Sequence, residues 1–195
     1  ELSLVKHHRP FEISLEHALL IVLDMQNVFL DEISHAFVPS APEIVPNIQN
    51  LINFFHKKDL PIIATQHSNS LDSTDPMNIW WKNSILNDSY PFLLTNLLKF
   101  PKSTIFLQKH QYSAFYRTSL ESILKKKRID FLVITGVMTH LCCETTARDA
   151  FMRGFRTFIA IDGTATYTEK FHLGSLRALS HGFSICGSYQ ELMKK

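Results

Sequence analysis

Short apolar runs recur along the chain, and the first of them, Ala18 to Leu23, ends abruptly at Asp24. A continuous apolar run of this length is typical of a strand that is buried on both faces of a sheet. Later runs of the same character predict further strands at residues 60–65, 104–109, 131–136, 157–161 and 183–186.

Between these runs lie segments whose apolar residues repeat with helical spacing, which predicts helices at residues 43–58, 118–127 and 170–181. Strands that alternate with helices favour an α/β fold, with a mostly parallel six-stranded sheet and helices on both faces. Residues 66–103 are the exception, a long segment that contains Pro76, Pro91 and Pro101. We expect this segment to be a functional lid or to contain small elements of its own.

The composition is that of a globular protein, since 45% of the 195 residues are hydrophobic and 19% are charged. We expect residues 1–195 to form a single domain, because this length is within the usual range of one domain. The net charge is only +2, and the one dense basic run, residues 125–128, falls at the end of a predicted helix. Basic residues there complement the helix dipole, so we expect no nucleic-acid partner.

The three cysteines follow neither a disulfide framework nor a zinc pattern, because Cys142 and Cys143 are adjacent and no CxxC pair is present. This usage favours a reducing compartment, and we expect a cytoplasmic protein. The N-terminal residues lack the blocks of a signal peptide, and the longest apolar runs are too short to cross a bilayer. We therefore expect no membrane association.

Three polar residues stand where predicted strands end, which is where open parallel sheets bind their ligands. Asp24 and Lys109 each close a run, and Cys142 follows the run at 131–136 across a short turn. Taken singly, Asp24 could cap a helix or turn, Lys109 could point into solvent and Cys142 could pack as a small apolar residue. Together they supply an acid/base, a cation and a nucleophile, and we expect them to converge.

Helical periodicity separates the two adjacent cysteines. If a helix begins near His140, one stripe of small and apolar residues faces the sheet, at positions 143, 147, 150, 151 and 154. Cys143 is then a core residue. Cys142 lies in the first turn, near unpaired backbone N–H groups and Lys109, where we expect its thiol pKa to be lowered. Cys186 is expected to be a packing residue.

These residues lie within segments that resemble the isochorismatase-like cysteine hydrolases, a superfamily that includes nicotinamidases and N-carbamoylsarcosine amidases. The resemblance covers nearly the whole chain. It is carried by LLIVLDMQN at 19–27, KHQYSAF at 109–115 and GVMTHLCCETTARDA at 136–150, with a weaker match from 162 to 172. Three ordered motifs make a far more specific signal than any one of them.

The resemblance implies a Rossmann-like three-layer fold and a catalytic triad of Asp24, Lys109 and Cys142. It also implies a cis peptide between Val137 and Met138, and an oxyanion hole made by the backbone N–H groups of Met138 and Cys142. The expected activity is hydrolysis of a small amide or ureide C–N bond through a thioester on Cys142. Members of the family are usually homo-oligomers, so we expect a dimer or a tetramer.

The chain departs from the family where nicotinamidases carry an Asp-x-His metal signature, because the corresponding stretch is Thr65-Gln66-His67-Ser68-Asn69. One histidine does not make a metal site, which argues against a nicotinamidase and predicts neither metal nor cofactor. We expect the small-molecule substrate to be bound in a pocket with these residues: Phe29, His67, Trp81, Tyr112, Phe115 and His140. Ordinary packing is the alternative for each aromatic residue.

Two other functions are compatible with these motifs. True isochorismatases cleave a vinyl ether and resemble this chain even at His140, but they have glycine at the position of Cys142. The cysteine therefore favours acyl chemistry. A protein of the same fold could also bind a ligand without catalysis, because the fold does not determine the function.

Overall fold

The computed structural model describes residues 9–195, and its centre is one parallel sheet of six strands. Their order is β3-β2-β1-β4-β5-β6, and every neighbouring pair is parallel. The strands are β1 (Ala18–Leu23), β2 (Ile62–His67), β3 (Ile105–Lys109), β4 (Phe131–Val137), β5 (Arg156–Ala165) and β6 (Ile185–Gly187). The α/β prediction is confirmed.

The helices connect the strands and cover both faces of the sheet. They are α1 (Asn27–Leu30), α2 (Ala41–Lys57), α3 (Pro76–Trp80), α4 (Leu120–Lys126), α5 (Glu144–Met152), α6 (Glu169–Gly182) and α7 (Tyr189–Met193). A π-helical turn, Thr139–Cys143, runs directly into α5, and a 3₁₀ turn lies at Tyr90–Phe92. No helix in residues 9–195 combines the length and the apolar character that crossing a membrane requires.

Alternation along β1 divides the core into two layers. Leu20 and Val22 belong to the cluster that contains the buried face of α2. Leu19 and Ile21 belong to the opposite cluster, to which α4, α5 and α6 contribute. Because successive side chains of a strand point to opposite faces, a strand buried on both must be apolar throughout.

The predicted bounds of strands β5 and β6 are wrong, because a polar or irregular stretch interrupts the apolar pattern there. Strand β5 continues past its predicted end at residue 161 through Asp162 and Gly163 to Ala165. Strand β6 begins at Ile185 because Phe183 still belongs to the end of α6, where its N–H donates to the carbonyl of Leu179.

The predicted core stripe that begins at Cys143 is only partly right. Cys143, Ala147 and Ala150 are fully buried, but Phe151 and Gly154 are exposed, since α5 ends at Met152 and the chain turns toward β5. Residues 66–103 do contain small elements of their own, helix α3 and the 3₁₀ turn.

Gly136 allows β1 and β4 to lie side by side next to the candidate site. Its backbone has φ of +104°, and a Cβ added there would lie 2.0 Å from the carbonyl oxygen of Leu23. Leu23 pairs with Gly136 and directly precedes Asp24. Any side chain at position 136 would therefore displace the strand end that carries Asp24.

We predict that Gly136→Ala destabilises the fold by more than about 4 kcal/mol, because a backbone clash and a positive φ act together. Gly174→Ala is the matched control, since Gly174 lies inside α6 with open space around its Cα. It should stabilise the protein by about 0.5 to 1 kcal/mol. Denaturant unfolding measures both, and equal stability of the two variants would contradict the prediction.

Candidate active site

The ends of β1 and β3 and the turn after β4 bring three side chains into contact. Lys109 Nζ lies 2.7 Å from Asp24 Oδ2 and 3.4 Å from Cys142 Sγ. It also donates to the carbonyl oxygen of Gln111 at 3.0 Å. The three donors of one ammonium group thus have an acidic, a neutral and a sulfur partner. The convergence expected from the strand ends is present in the structure.

Asp24 and Lys109 form an ion pair that is fully buried, with both side chains 0% exposed. Burial lowers the pKa of Lys109, but the negative charge of Asp24 and the hydrogen bonds of the ammonium group to Asp24 and Cys142 raise it more, so that its pKa lies above the ordinary value. The ammonium group is therefore charged at neutral pH. Such a pair offsets its desolvation only when further hydrogen bonds satisfy both groups.

Thr65 of β2 holds the carboxylate of Asp24. Its hydroxyl donates to Asp24 Oδ1 at 2.6 Å and accepts from the Asp24 N–H at 3.1 Å. Asp24 has φ of 51°, a left-handed conformation that few non-glycine residues adopt. Sequence reasoning missed Thr65, although a threonine at the end of the predicted apolar run 60–65 was the available signal.

Gln26 is a second residue that sequence reasoning missed. Its side chain accepts from the N–H of His67 at 2.7 Å and donates to the His67 carbonyl at 2.9 Å. The same amide group donates to the carbonyl of Phe92 at 2.7 Å. Gln26 is fully buried and fastens the end of β2 and the 66–103 segment to the chain just after Asp24.

Cys142 lies in the π-helical turn that follows β4, and its side chain lines a pocket. Cys143 is fully buried in the core between the sheet and helices α4 to α6, as predicted. The expected lowering of the Cys142 pKa is wrong. Burial raises the pKa of this thiol to about 12, although Lys109 acts in the opposite direction. The resting sulfur is therefore protonated.

The peptide bond between Val137 and Met138 is cis, and Met138 contributes to the pocket wall. The carbonyl of Met138 accepts from the N–H groups of Leu141 and Cys143. Helix α6 holds the next residue, because Ser175 donates to the carbonyl of Thr139 and His172 bonds to the Thr139 hydroxyl. These contacts fix the backbone that carries Cys142.

A pocket of about 200 Å³ opens above Cys142. Four of the predicted pocket residues line it: Phe29, His67, Trp81 and Tyr112. The remaining wall is formed by His35, Ala36, Asn69, Met77, Trp80, Lys82, Asn83, Ile85, Met138, Leu141 and Tyr167. The wall is mostly apolar and aromatic, which suits a small molecule with a flat body.

Phe115 and His140, also predicted for the pocket, lie elsewhere. The Phe115 ring packs against Phe155 in the core on the opposite face of the sheet, at 5.8 Å between centroids. The ring of His140 stacks on Phe171 at 4.5 Å, and its Nδ1 bonds to the Thr166 hydroxyl. Sequence proximity to Tyr112 and Cys142 suggested a shared site, but the chain turns these two rings away.

Several hydrogen bonds connect the 66–103 segment to the loop after β3, among them one between His110 Nδ1 and the carbonyl of Ser68. Gln111 Nε2 donates to Asp75 Oδ1 at 3.0 Å, and Asp75 caps the first turn of α3 through the N–H of Met77. Trp81 Nε1 donates to the Tyr112 hydroxyl at 2.7 Å. The loop that follows Lys109 therefore holds the segment that covers the pocket.

A zinc site of the nicotinamidase type does not fit the residues around His67. Within residues 9–195, no three histidine, cysteine, aspartate or glutamate side chains are grouped to hold a metal. Asn69, two residues after His67, already donates to Asn78 and accepts from the N–H of Ile85.

Comparison with known proteins agrees with this fold. The family model described as "Isochorismatase domain" matches residues 18–191. Nicotinamidase 3 of Arabidopsis thaliana is 33% identical over 171 residues, which cover 86% of this chain and 82% of that protein. Isochorismatase of Bacillus subtilis (strain 168) is 30% identical over 157 residues, 80% of this chain but only 50% of that protein.

A solved structure has the same fold. The cysteine hydrolase from Pseudomonas syringae pv. phaseolicola 1448A superimposes with a TM-score of 0.88 at 23% identity, covering 94% of each chain. The fold and the sequence similarity together define a hydrolase whose fold belongs to the general α/β class, with a parallel sheet between helices. The chain belongs to the isochorismatase family.

We predict that iodoacetamide labels Cys142 slowly at neutral pH and faster as the pH rises, by about tenfold per unit, because only the thiolate reacts. Cys143 should react more slowly at every pH, since burial also raises its pKa. Peptide mapping after timed labelling measures both rates, with Cys143→Ala as the control. A rapid, pH-independent rate at Cys142 would show that its thiol is already ionised.

Proposed function

We propose that this protein is a cysteine amidase, which hydrolyses a small amide or ureide C–N bond through a thioester on Cys142. The observation that carries the proposal is the contact of Lys109 with both Asp24 and Cys142 beneath the pocket. A nucleophile, an acid/base and a fixed cation are thereby within reach of one bound carbonyl group.

The proposed reaction begins with a neutral thiol. Asp24 accepts the thiol proton as Sγ of Cys142 attacks the carbonyl carbon, and Lys109 offsets the negative charge that develops. The backbone N–H groups of Met138 and Cys142 hold the oxyanion. Asp24 then returns the proton to the leaving nitrogen, and the C–N bond breaks. Water, deprotonated by Asp24, hydrolyses the thioester, and the proton returns to sulfur.

A raised thiol pKa is compatible with this sequence of steps. Transferring the proton during attack avoids placing two negative charges, on Asp24 and Cys142, beside each other in a buried site. The thiolate exists only when the substrate carbonyl is present to receive its electrons. The role of Lys109 is then to stabilise the charge of the transition state, because the resting thiol carries none.

The substrate is proposed to be a small planar amide. The aromatic wall of the pocket supports this proposal, as does the similarity to a protein named Nicotinamidase 3. The departure of residues 65–69 from the nicotinamidase signature affects a metal site, and cysteine chemistry on an amide does not require a metal. Nicotinamide is therefore the first substrate to test.

A vinyl-ether hydrolase is the second candidate, because a relative named Isochorismatase matches most of this chain. In that reaction Asp24 would act as a general acid and the sulfur of Cys142 would have no part. The contact between Lys109 and Cys142 Sγ favours the amidase, since it joins sulfur to the buried ion pair. A binding protein without activity would have no need of that contact.

The three cysteines are unpaired in the structure. This supports the proposal of a cytoplasmic location, where thiols stay reduced.

We propose that the protein is a homo-oligomer. Several large apolar side chains of the 66–103 segment are exposed, which supports contact with a second copy: Leu71, Ile79, Trp80, Leu86, Leu93 and Leu97. Light scattering of purified protein should give a dimer or tetramer of the 22.5 kDa chain. A mass of one chain at micromolar concentration would contradict this expectation.

We predict that Cys142→Ala lowers amide turnover by at least about a thousandfold, because the covalent intermediate is lost. Wild type, Cys142→Ala, Cys142→Gly and Asp24→Asn should be assayed against primary amides, ureides and isochorismate. Asp24→Asn is the control that both mechanisms inactivate. Wild-type turnover should survive EDTA treatment and desalting. Efficient isochorismate turnover that persists in Cys142→Gly would show that the amidase proposal is wrong.

A further inference from the structure

The contact between Lys109 and Cys142 joins two parts of the fold that the sheet connects only indirectly. Lys109 ends β3 and Cys142 follows β4, but β2 and β1 lie between these two strands. Neighbouring strands are about 4.8 Å apart, so β3 and β4 are separated by about 14 Å. Because β3 is also an edge strand, the distance of 3.4 Å between Nζ and Sγ depends on contacts above the sheet.

Helix α5 and the loop after β3 make such contacts along one side of the helix. Cys142, Thr146 and Asp149 are four and three residues apart, a spacing that places them on the same helix face. The N–H of Ala114 donates to Thr146 Oγ1 at 3.1 Å, and the hydroxyl of Ser113 donates to Asp149 Oδ2 at 2.6 Å. With the contact of the ammonium group to sulfur, these bonds form a row of three polar contacts between the loop and the helix.

The two acceptors on the helix are themselves held in place. Thr146 and Ala114 are both fully buried, so loss of the threonine hydroxyl would leave a buried N–H unsatisfied. The second carboxylate oxygen of Asp149 accepts from Arg153 Nε at 2.7 Å, and Arg153 also forms an ion pair with Glu121 of α4. The loop is therefore bonded to acceptors that are fixed on the helix.

The same loop reaches the ammonium group of Lys109. The carbonyl oxygen of Gln111, two residues before Ser113, accepts from Lys109 Nζ at 3.0 Å. A shift of residues 113 and 114 along the helix would therefore move an acceptor that orients the ammonium group. Within the described residues, the pocket wall includes neither Ser113 nor Thr146. Their contacts thus bear on the reacting groups and not on the surface that a bound molecule would touch.

We propose that Ser113 and Thr146 are positioning residues, which set the distance between the ammonium group and the catalytic sulfur. The inference rests on the proposed amidase function, in which Lys109 offsets the charge that develops during attack. Loss of either contact lets the end of β3 move relative to α5, and the ammonium group moves away from the sulfur. Because electrostatic stabilisation of a transition state depends on preorganised geometry, turnover falls while substrate binding is retained.

Matched substitutions at position 146 separate the hydroxyl from the shape of the side chain. Thr146→Val keeps the shape but loses the acceptor, and Thr146→Ser keeps the acceptor. The substrate is nicotinamide, or the primary amide that wild type hydrolyses fastest. We expect Thr146→Val and Ser113→Ala to lower kcat by about tenfold or more, with KM changed by less than about twofold. Thr146→Ser should retain about half or more of the wild-type kcat.

Thr157→Val is the matched control for the loss of a buried hydroxyl. Thr157 is also fully buried, and its hydroxyl donates to the carbonyl of Phe183 at 3.0 Å. It lies near the amino end of β5, whereas the site lies beyond the carboxyl ends of the strands. Both valine variants should lower the urea midpoint, since each loses a buried hydrogen bond, but only Thr146→Val should lower kcat. A purely structural role would leave the activity of both folded variants unchanged.

Labelling of Cys142 supplies a readout that needs no turnover. Burial raises the pKa of this thiol, and the positive charge of Lys109 acts against burial. A more distant ammonium group should raise the thiol pKa further, so iodoacetamide should label Cys142 in Thr146→Val about threefold more slowly or less at alkaline pH. Ser113→Ala should show the same slowing, and Thr157→Val should label at the wild-type rate.

The outcomes separate this inference from the amidase proposal. If Thr146→Val keeps kcat within about twofold of wild type, or if its Cys142 labels as fast as wild type or faster, the positioning role is wrong and the amidase stands. Ser113→Ala decides the question in the same way if Thr146→Val does not fold. If wild type hydrolyses no amide, but labelling slows in these two variants and not in Thr146→Ser, the amidase proposal alone fails.

Discussion

The buried ion pair between Lys109 and Asp24 is the constraint on which the rest of the site depends. Two opposite charges without solvent are stable only if each is held close to the other and has its remaining hydrogen bonds satisfied. Thr65 and the carbonyl of Gln111 supply these bonds. Asp24 follows β1, Thr65 belongs to β2, and Lys109 and Gln111 lie at and after the end of β3. The ion pair and its hydrogen bonds therefore hold the ends of these three strands together.

In the proposed mechanism, the same pair allows a thiol with a high pKa to act as a nucleophile. The pair is neutral as a whole, so the pocket presents no net charge from this source to an uncharged amide. In that mechanism Cys142 gives its proton to Asp24, which is already in place, and the ammonium group of Lys109 is already oriented toward the sulfur. The protein thus needs little reorganisation when charge develops during the reaction.

Much of this architecture could be predicted from the sequence. Apolar runs located all six strands, and the placement of Asp24, Lys109 and Cys142 at strand ends correctly brought them together. The bounds of β5 could not be found, because its continuation is polar. Thr65 and Gln26 also escaped notice, since their roles depend on contacts with residues distant in the chain.

The errors have a common physical origin in burial. The pKa of Cys142 was expected to fall from local features, its helix turn and its cation, but desolvation by the whole fold has the larger effect. Phe115 and His140 were placed by their nearness in sequence, and the turns that direct them elsewhere depend on packing against Phe155 and Phe171. Sequence periodicity indicates which face of a helix or strand a residue occupies, but it does not indicate how deeply the residue is buried.

Gln111 joins two parts of the molecule that are usually considered separately. Its carbonyl accepts a hydrogen bond from the ammonium group of Lys109, and its side chain donates one to Asp75 at the start of α3. Any displacement of α3 from the pocket would therefore be transmitted through Gln111 to the ammonium group of Lys109. In the proposed amidase, the position of α3 over the pocket and the position of the Lys109 ammonium group beside the sulfur are therefore coupled through one residue. A substrate large enough to displace α3 would also displace Lys109 from Cys142, so the proposed enzyme would select its substrates by size.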